Sequence, residues 1–205
     1  MSDIKLANVC RSVFLSNLKH STGGLDLLKL LENYNCTIAG SFLVSIIDPK
    51  NREWSAWRPN DVDIWVPCKS EKTVELFKDE LALLKLGNVH WDTKLCESYR
   101  ERVKEQATIF DMLIFKSSDV PLNIIFYDAN KLTGRISETF DYDFCKIEMP
   151  ILKDTIVWPL VSNNWSSVYN KVTNKPTKFS SPDRNDKWTK RGYTIKSVNH
   201  FSEKL

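Results

Sequence analysis

Asn60-Asp61-Val62-Asp63-Ile64-Trp65-Val66 sets two carboxylates one residue apart within an apolar run, and it is preceded by Gly40-Ser41 at an expected strand-to-helix turn. Side chains of a strand alternate between its faces, so Asp61 and Asp63 share one face while Val62 and Ile64 share the other. Two aspartates at the end of a buried strand are costly unless their charge is compensated. A divalent cation is a natural partner, because magnesium takes carboxylate oxygens and leaves positions for water and phosphate.

Outward from this stretch, the chain reads as α+β. Residues 4–34 alternate apolar and polar positions at helical spacing, broken at Ser21-Thr22-Gly23-Gly24, which predicts two helices with the second over about 25–32. Residues 37–40 suit a short strand and 41–47 a helix that ends at Asp48-Pro49. A polar segment with Trp54 and Trp57 then leads into the aspartate strand. Residues 71–86 form an amphipathic pattern with Gly87 as the expected C-terminal stop. Residues 109–115 and 122–127 read as a hairpin around a polar turn at 117–121. Polar alternation over 140–149 predicts a further strand carrying Asp141 and Asp143, and 155–158 is a candidate for one more. Helix, strand, helix, strand, helix, then several strands implies a mixed sheet with helices on one face.

Composition narrows the class. The 205 residues, 42% hydrophobic and 27% charged, suit one globular domain with a small appendage. No apolar run is long enough to span a bilayer and Met1-Ser2-Asp3-Ile4-Lys5 lacks a signal-peptide pattern, so no membrane association is expected. Cys10, Cys36, Cys68, Cys96 and Cys145 are scattered and odd in number, which suits reduced thiols and a cytoplasmic location, viral or host-cell cytoplasm included. From Lys171 onward nine Lys or Arg face three Asp or Glu, a balance of +6, leaving −3 on the first 170 residues to give the net +3. This basic extension mixes cations with Trp188 and Tyr193, which fits phosphate contact and base stacking on RNA or DNA, and fits equally a short docking helix. The expected organisation is an N-terminal helical segment over 1–35, a core over 36–165 and a basic C-terminal extension over 166–205.

The order Gly40-Ser41, helix, Asp61-Val62-Asp63-Ile64 resembles the signature of the nucleotidyltransferase superfamily related to DNA polymerase beta, in which hydrophobic-Gly-[Gly/Ser] is followed by hydrophobic-Asp-hydrophobic-Asp. Asn60-Asp61-Val62-Asp63 is similar to the metal-binding strand of family X polymerases and tRNA nucleotidyltransferases. The match covers residues 38–66 and extends loosely through 127, with an insertion around 51–58. The resemblance implies a nucleotidyltransferase-like mixed sheet and transfer of a nucleoside monophosphate from a nucleoside triphosphate to a hydroxyl, with a nucleic-acid end among the acceptors. Asp61 and Asp63 would hold Mg2+ or Mn2+, and Gly40 and Ser41 would form the phosphate turn. Arg58 lies close enough in sequence to reach a triphosphate, with Arg135 and Lys146 as further cations.

One position departs from that pattern. Asn123 stands where the resemblance implies a third carboxylate, in Leu122-Asn123-Ile124-Ile125. An amide adds no negative charge and is a poor base. Asp143 or Asp141 would then restore the charge from the next strand. Otherwise the chain is a weak or inactive member of the fold that binds nucleotide or nucleic acid. A scaffold whose Trp-rich insertion contacts a protein partner is a third possibility. Trp65 is expected to be a core aromatic, and Asp111 reads as an exposed strand residue or a ligand.

Overall fold

The computed structural model describes residues 3–19, 23–51, 56–84, 86, 89–91, 97, 109–116, 118–132, 134–173 and 182–196. The chain opens with two helices, α1 (Asp3–Lys19) and α2 (Gly24–Asn33), followed by β1 (Thr37–Ala39) and α3 (Ser41–Ile47). Next come β2 (Val62–Cys68), α4 (Glu71–Leu83), β3 (Val89–Trp91), β4 (Ile109–Phe115) and β5 (Leu122–Asp128). After two 3-10 turns, Ile136–Thr139 and Asp143–Cys145, the chain forms β6 (Glu148–Pro150), α5 (Trp165–Asn170), β7 (Val172–Thr173), α6 (Pro182–Lys190) and β8 (Thr194–Ile195).

Among the described residues the main sheet has six strands in the order β3-β4-β5-β2-β1-β6. It is mixed: β2 and β5 run parallel, while β1–β2, β1–β6, β3–β4 and β4–β5 are antiparallel. The expected hairpin over 109–127 is the β4–β5 pair. Asn17 of α1 fixes its turn by donating to the Val120 carbonyl at 3.0 Å and accepting from the Val120 amide at 2.7 Å. Both of the asparagine's polar ends are thus satisfied in a buried position.

Alternation along β2 and β5 separates the two faces of the sheet. Val62, Ile64, Val66, Leu122, Ile124 and Phe126 point into the main core with Phe14, Leu27, Leu31, Phe42 and Phe77 from the first four helices. Trp65, Ile125, Met112 and Ala39 face the other way and pack under Ile136 and Phe140 in a smaller apolar cluster. Helices therefore cover one face, and irregular chain covers part of the other. Asp63 lies on that second face, between Val62 and Ile64 of the main core.

Three expectations for the connecting segments need correction. Residues 140–147 do not form a strand. Cys145 N–H bonds to the Tyr142 carbonyl at 2.8 Å and Lys146 N–H to the Asp143 carbonyl at 3.2 Å, curling the chain into a 3-10 turn, so that only Glu148–Pro150 pairs as β6. Residues 155–158 are irregular, and the Trp158 indole, fully buried beside Phe14, donates to the Leu152 carbonyl at 2.9 Å instead of entering a ladder. Helix α4 ends at Leu83, before the predicted stop at Gly87, which lies outside the described residues along with Trp54 and Cys96.

The C-terminal segment folds back on the core. Trp188 and Tyr193 are each 3% exposed and join Trp57, Tyr142 and Phe144 in one aromatic group, with Trp188 ring centroids 4.8 Å from Phe144 and 4.9 Å from Tyr193. Lys171, in the left-handed region at φ 56°, pairs with buried Asp48 at 2.6 Å, and the Tyr193 hydroxyl bonds the same carboxylate at 3.4 Å. Of the two readings of the basic extension, its aromatics follow the docking-helix one, since neither ring is free to stack on a base.

Candidate functional site

Asp61 immediately precedes β2 and Asp63 is its second residue, so both stand at one end of a central strand, half-buried and on one face. The sheet register places Ala39 beside Asp63 on one side and Asn123 on the other. Gly40 and Ser41 follow Ala39 directly. Strand pairing thus carries the Gly-Ser turn to the carboxylate pair across nineteen intervening residues, as the motif spacing predicts.

Gly40 is required by its backbone. Its φ of 85° and ψ of −142° lie where only glycine is at ease, and a Cβ there would sit 3.0 Å from Cε2 of Phe140. The Gly40 N–H donates to the Ile147 carbonyl at 3.2 Å, which anchors the turn to the chain leading into β6. Ser41 is half-buried at the first position of α3.

Asn123 is 4% exposed, and its side-chain amide donates to Asp63 Oδ1 at 3.0 Å. The position expected to hold a third carboxylate is therefore beside Asp63, and its amide compensates part of the Asp63 charge. Two carboxylates and an amide oxygen fit one hard divalent ion whose other positions are filled by phosphate and water. Among the described residues no group of three or more His, Cys, Asp or Glu side chains could hold a metal, so a ligand set complete within the protein is lacking there.

The structure places Asp143 on a 3-10 turn, off any strand paired with β2. Its carboxylate pairs with Lys146 at 3.1 Å and accepts from the Thr173 hydroxyl at 3.3 Å. Asp141 pairs with Arg184 at 3.0 Å. The route by which either would join Asp61 and Asp63 from a neighbouring strand is absent. Asp111 pairs with Lys78 at 2.9 Å, and Arg135 lies 3.7 Å from Glu148 and bonds Asn163 at 2.6 Å. Trp65 is a core residue, as expected. Arg58 is exposed, three residues upstream of Asp61.

Two cations of the basic extension, Lys187 and Arg191, feel the charge of Asp61. Arg191 donates to the Arg58 carbonyl at 3.4 Å, and its guanidinium lies 4.0 Å above the Trp57 ring and 5.0 Å from that of Trp188. Burial, then the neighbouring Arg191 charge, lowers the Lys187 ammonium below the usual lysine range, with Asp61 opposing. Burial likewise lowers Arg191, and Asp61 is among the groups that oppose it. The sequence marks them through the mix of cations and aromatics in the basic extension, and their spacing at i and i+4 places them on one face of a helix and its exit. Among the described residues, burial pushes the pKa of the Cys10 and Cys68 thiols up to about 12 and those of Cys36 and Cys145 well above the ordinary value, so these four are held as neutral thiols.

This mixed sheet, with its Gly-Ser turn beside an aspartate pair at one end of β2, is a nucleotidyltransferase-like fold. It is similar to the Thermotoga maritima CCA-adding enzyme complexed with tRNA (TM-score 0.54, 12% identity, covering 92% of this chain and 42% of that one). It is also similar to a tRNA-processing enzyme in an apo form (0.52, 13%, 84% and 43%) and to a tRNA nucleotidyltransferase complexed with a primer tRNA and an incoming ATP analogue (0.50, 13%, 85% and 46%). The chain spans less than half the length of each. No protein-family model and no curated protein matches it. Among the described residues no helix is long and apolar enough to cross a membrane.

Proposed function

We propose that the protein is a metal-dependent nucleotidyltransferase that moves a nucleoside monophosphate from a nucleoside triphosphate to a hydroxyl. The observation that carries this reading is the register of Asp63 with Asn123 and with the residue preceding Gly40-Ser41, which gathers the motif at one end of β2. Asp61 and Asp63 would hold Mg2+ or Mn2+ together with phosphate oxygens. Such an ion would offset the charge that builds on the α-phosphate during in-line displacement. The acceptor oxygen forms a bond to the α-phosphorus while the bond to the bridging oxygen breaks, and pyrophosphate leaves with the electron pair. Asn123 cannot take the hydroxyl proton, so it passes to water or to Asp63. Gly40 and Ser41 border the phosphates, and Arg58 meets them from the solvent side. The basic charge beyond Lys171 and the tRNA complexes of the structural neighbours favour a nucleic-acid end as acceptor.

A second reading has one observation in its favour. The Asn123 amide bonded to Asp63 satisfies the carboxylate without metal, which suits a nucleotide-binding module that does not catalyse. Incubation with each labelled nucleoside triphosphate, Mg2+ or Mn2+ and pooled RNA and DNA separates the two. The enzyme reading expects label transfer that Asp61→Asn and Asp63→Asn each reduce by at least about a hundredfold, the scale of losing one charge-stabilising group. Metal-dependent nucleotide binding with no transfer to any acceptor establishes the second.

A further inference from the structure

Arg184, Lys187 and Arg191 recur at intervals of three and four, so they line one side of α6 and its exit while Trp188 anchors the helix in the core. Arg184 is matched by Asp141. Lys187 and Arg191 form no ion pair within 4.0 Å among the described residues, although both are partly buried and the Arg191 charge raises the cost of charging Lys187. Keeping two like charges together out of water is unfavourable unless something anionic meets them.

The donors at this point are also in excess. Among the described residues Arg191 Nη1 and Trp57 Nε1 are both buried without a hydrogen-bond partner, on side chains stacked 4.0 Å apart. Native proteins rarely leave such donors unsatisfied, so two together mark a point at which an incoming acceptor would be met. The Trp57–Arg191–Trp188 arrangement restricts the guanidinium, so that its planar fork is oriented before a ligand arrives, as in bidentate phosphate recognition. Arg191 touches the main chain at Arg58, three residues from the first aspartate.

From these contacts we propose that Lys187 and Arg191, steadied by Trp57, form a grip for the polyphosphate of a nucleoside triphosphate, set beside Asp61 by the docking of the C-terminal helix. The proposal rests on the nucleotidyltransferase reading for its choice of ligand, and it assigns the phosphate chain to residues outside the Gly40-Ser41 turn. Its chemistry is charge-assisted hydrogen bonding from an ammonium and a guanidinium to phosphate oxygens.

Calorimetric titration of the full chain with inorganic tripolyphosphate in EDTA tests it without metal or catalysis. Wild type should bind, with affinity falling as salt rises. Lys187→Met and Arg191→Ala should each weaken binding by roughly tenfold or more, as expected for loss of a charged hydrogen bond. Arg191→Lys should recover only part of the loss, because it keeps the charge without the fork. Asp61→Asn should tighten binding, since it removes a like charge beside the anion. Lys187→Met does not disturb the aromatic stack and so remains informative if Arg191→Ala fails to fold. Wild-type and Lys187→Met proteins that bind equally well, or a wild type that binds no tripolyphosphate, would overturn the proposal even where nucleotidyl transfer is detected. Binding lost in the variants with no transfer to any acceptor supports the grip while removing the enzyme reading.

Discussion

Replacing Asn123 by aspartate puts a third carboxylate next to Asp63, and the cost can be worked from the geometry. The amide now donates to Asp63 Oδ1 at 3.0 Å, and Asn123 is buried. Two carboxylates about 4 Å apart repel by about 4 kcal/mol at an effective dielectric near 20. Protonation limits the penalty: an aspartate with an ordinary value near 3.9 takes up a proton at pH 7 at a cost of about 4 kcal/mol, and at pH 5 at only about 1.5 kcal/mol. Once protonated, residue 123 can donate to Asp63 again, which restores the lost hydrogen bond.

Asn123→Asp should therefore lose about 3–4 kcal/mol at pH 7 in EDTA and about 1–1.5 kcal/mol at pH 5. The sign follows from linkage. The folded variant holds a proton that the unfolded chain releases, so stability falls as pH rises above about 4. A divalent ion bound among the three carboxylates reverses the effect, by about 2.7 kcal/mol at a hundred times its dissociation constant. Urea unfolding at both pH values, with EDTA or Mn2+, measures all four quantities. A cost that is the same at pH 5 and pH 7, or that Mn2+ does not reduce, would refute the claim that residue 123 belongs to the same charged site as Asp63.

Three further outcomes test the framework around the site. Gly40→Ala should destabilise by about 1–3 kcal/mol, because the residue is forced into a glycine-only conformation with Phe140 3.0 Å from the new Cβ; an unchanged urea midpoint would show that the turn relaxes freely. Trp188→Ala should cost about 3–5 kcal/mol with loss of near-ultraviolet ellipticity, since it empties the centre of the Trp57, Tyr142, Phe144 and Tyr193 group. Lys187→Met should stabilise the ligand-free protein at pH 7. Burial and Arg191 hold the lysine below its ordinary 10.5, so the wild type gains stability as pH rises from the lowered value to 10.5, and the variant's advantage should shrink over that window. An advantage independent of pH would assign the effect to packing alone.

The sequence carried the site's centre because two independent periodicities meet there. Asp61-Val62-Asp63-Ile64 shows strand alternation, the Gly40-Ser41 turn sits one strand away, and the hairpin pattern over 109–127 brings Asn123 to the position seen in the sheet. Residues 140–147 carry a strand-like pattern for an equally physical reason. Phe140, Tyr142 and Phe144 alternate with polar residues, and Tyr142 and Phe144 do share a face, their rings stacked 5.2 Å apart. What alternation does not encode is the local hydrogen bonding that curls this segment. The basic extension is legible as a place for phosphate contact, but where Lys187 and Arg191 lie is not: it depends on Trp188 finding Trp57 and Phe144 across the molecule, a tertiary event that helical spacing alone does not specify.

The amide at Asn123 and the cations of the C-terminal segment bear on the same electrostatic problem. A nucleoside triphosphate brings more negative charge than one divalent ion neutralises, and a carboxylate pair adds to the excess. A site can meet this by adding a third carboxylate together with a further cation, or by omitting that carboxylate and supplying protein cations. Asn123 omits it, and its amide partly offsets Asp63. Lys187 and Arg191 supply positive charge on the Asp61 side, at a cost in desolvation and mutual repulsion that the folded protein bears before ligand arrives. On this view Asn123 alone is not a mark of inactivity. It and the docked C-terminal helix form one arrangement, so an aspartate at position 123 should relieve the dependence of triphosphate binding on Lys187 only when a divalent ion is present.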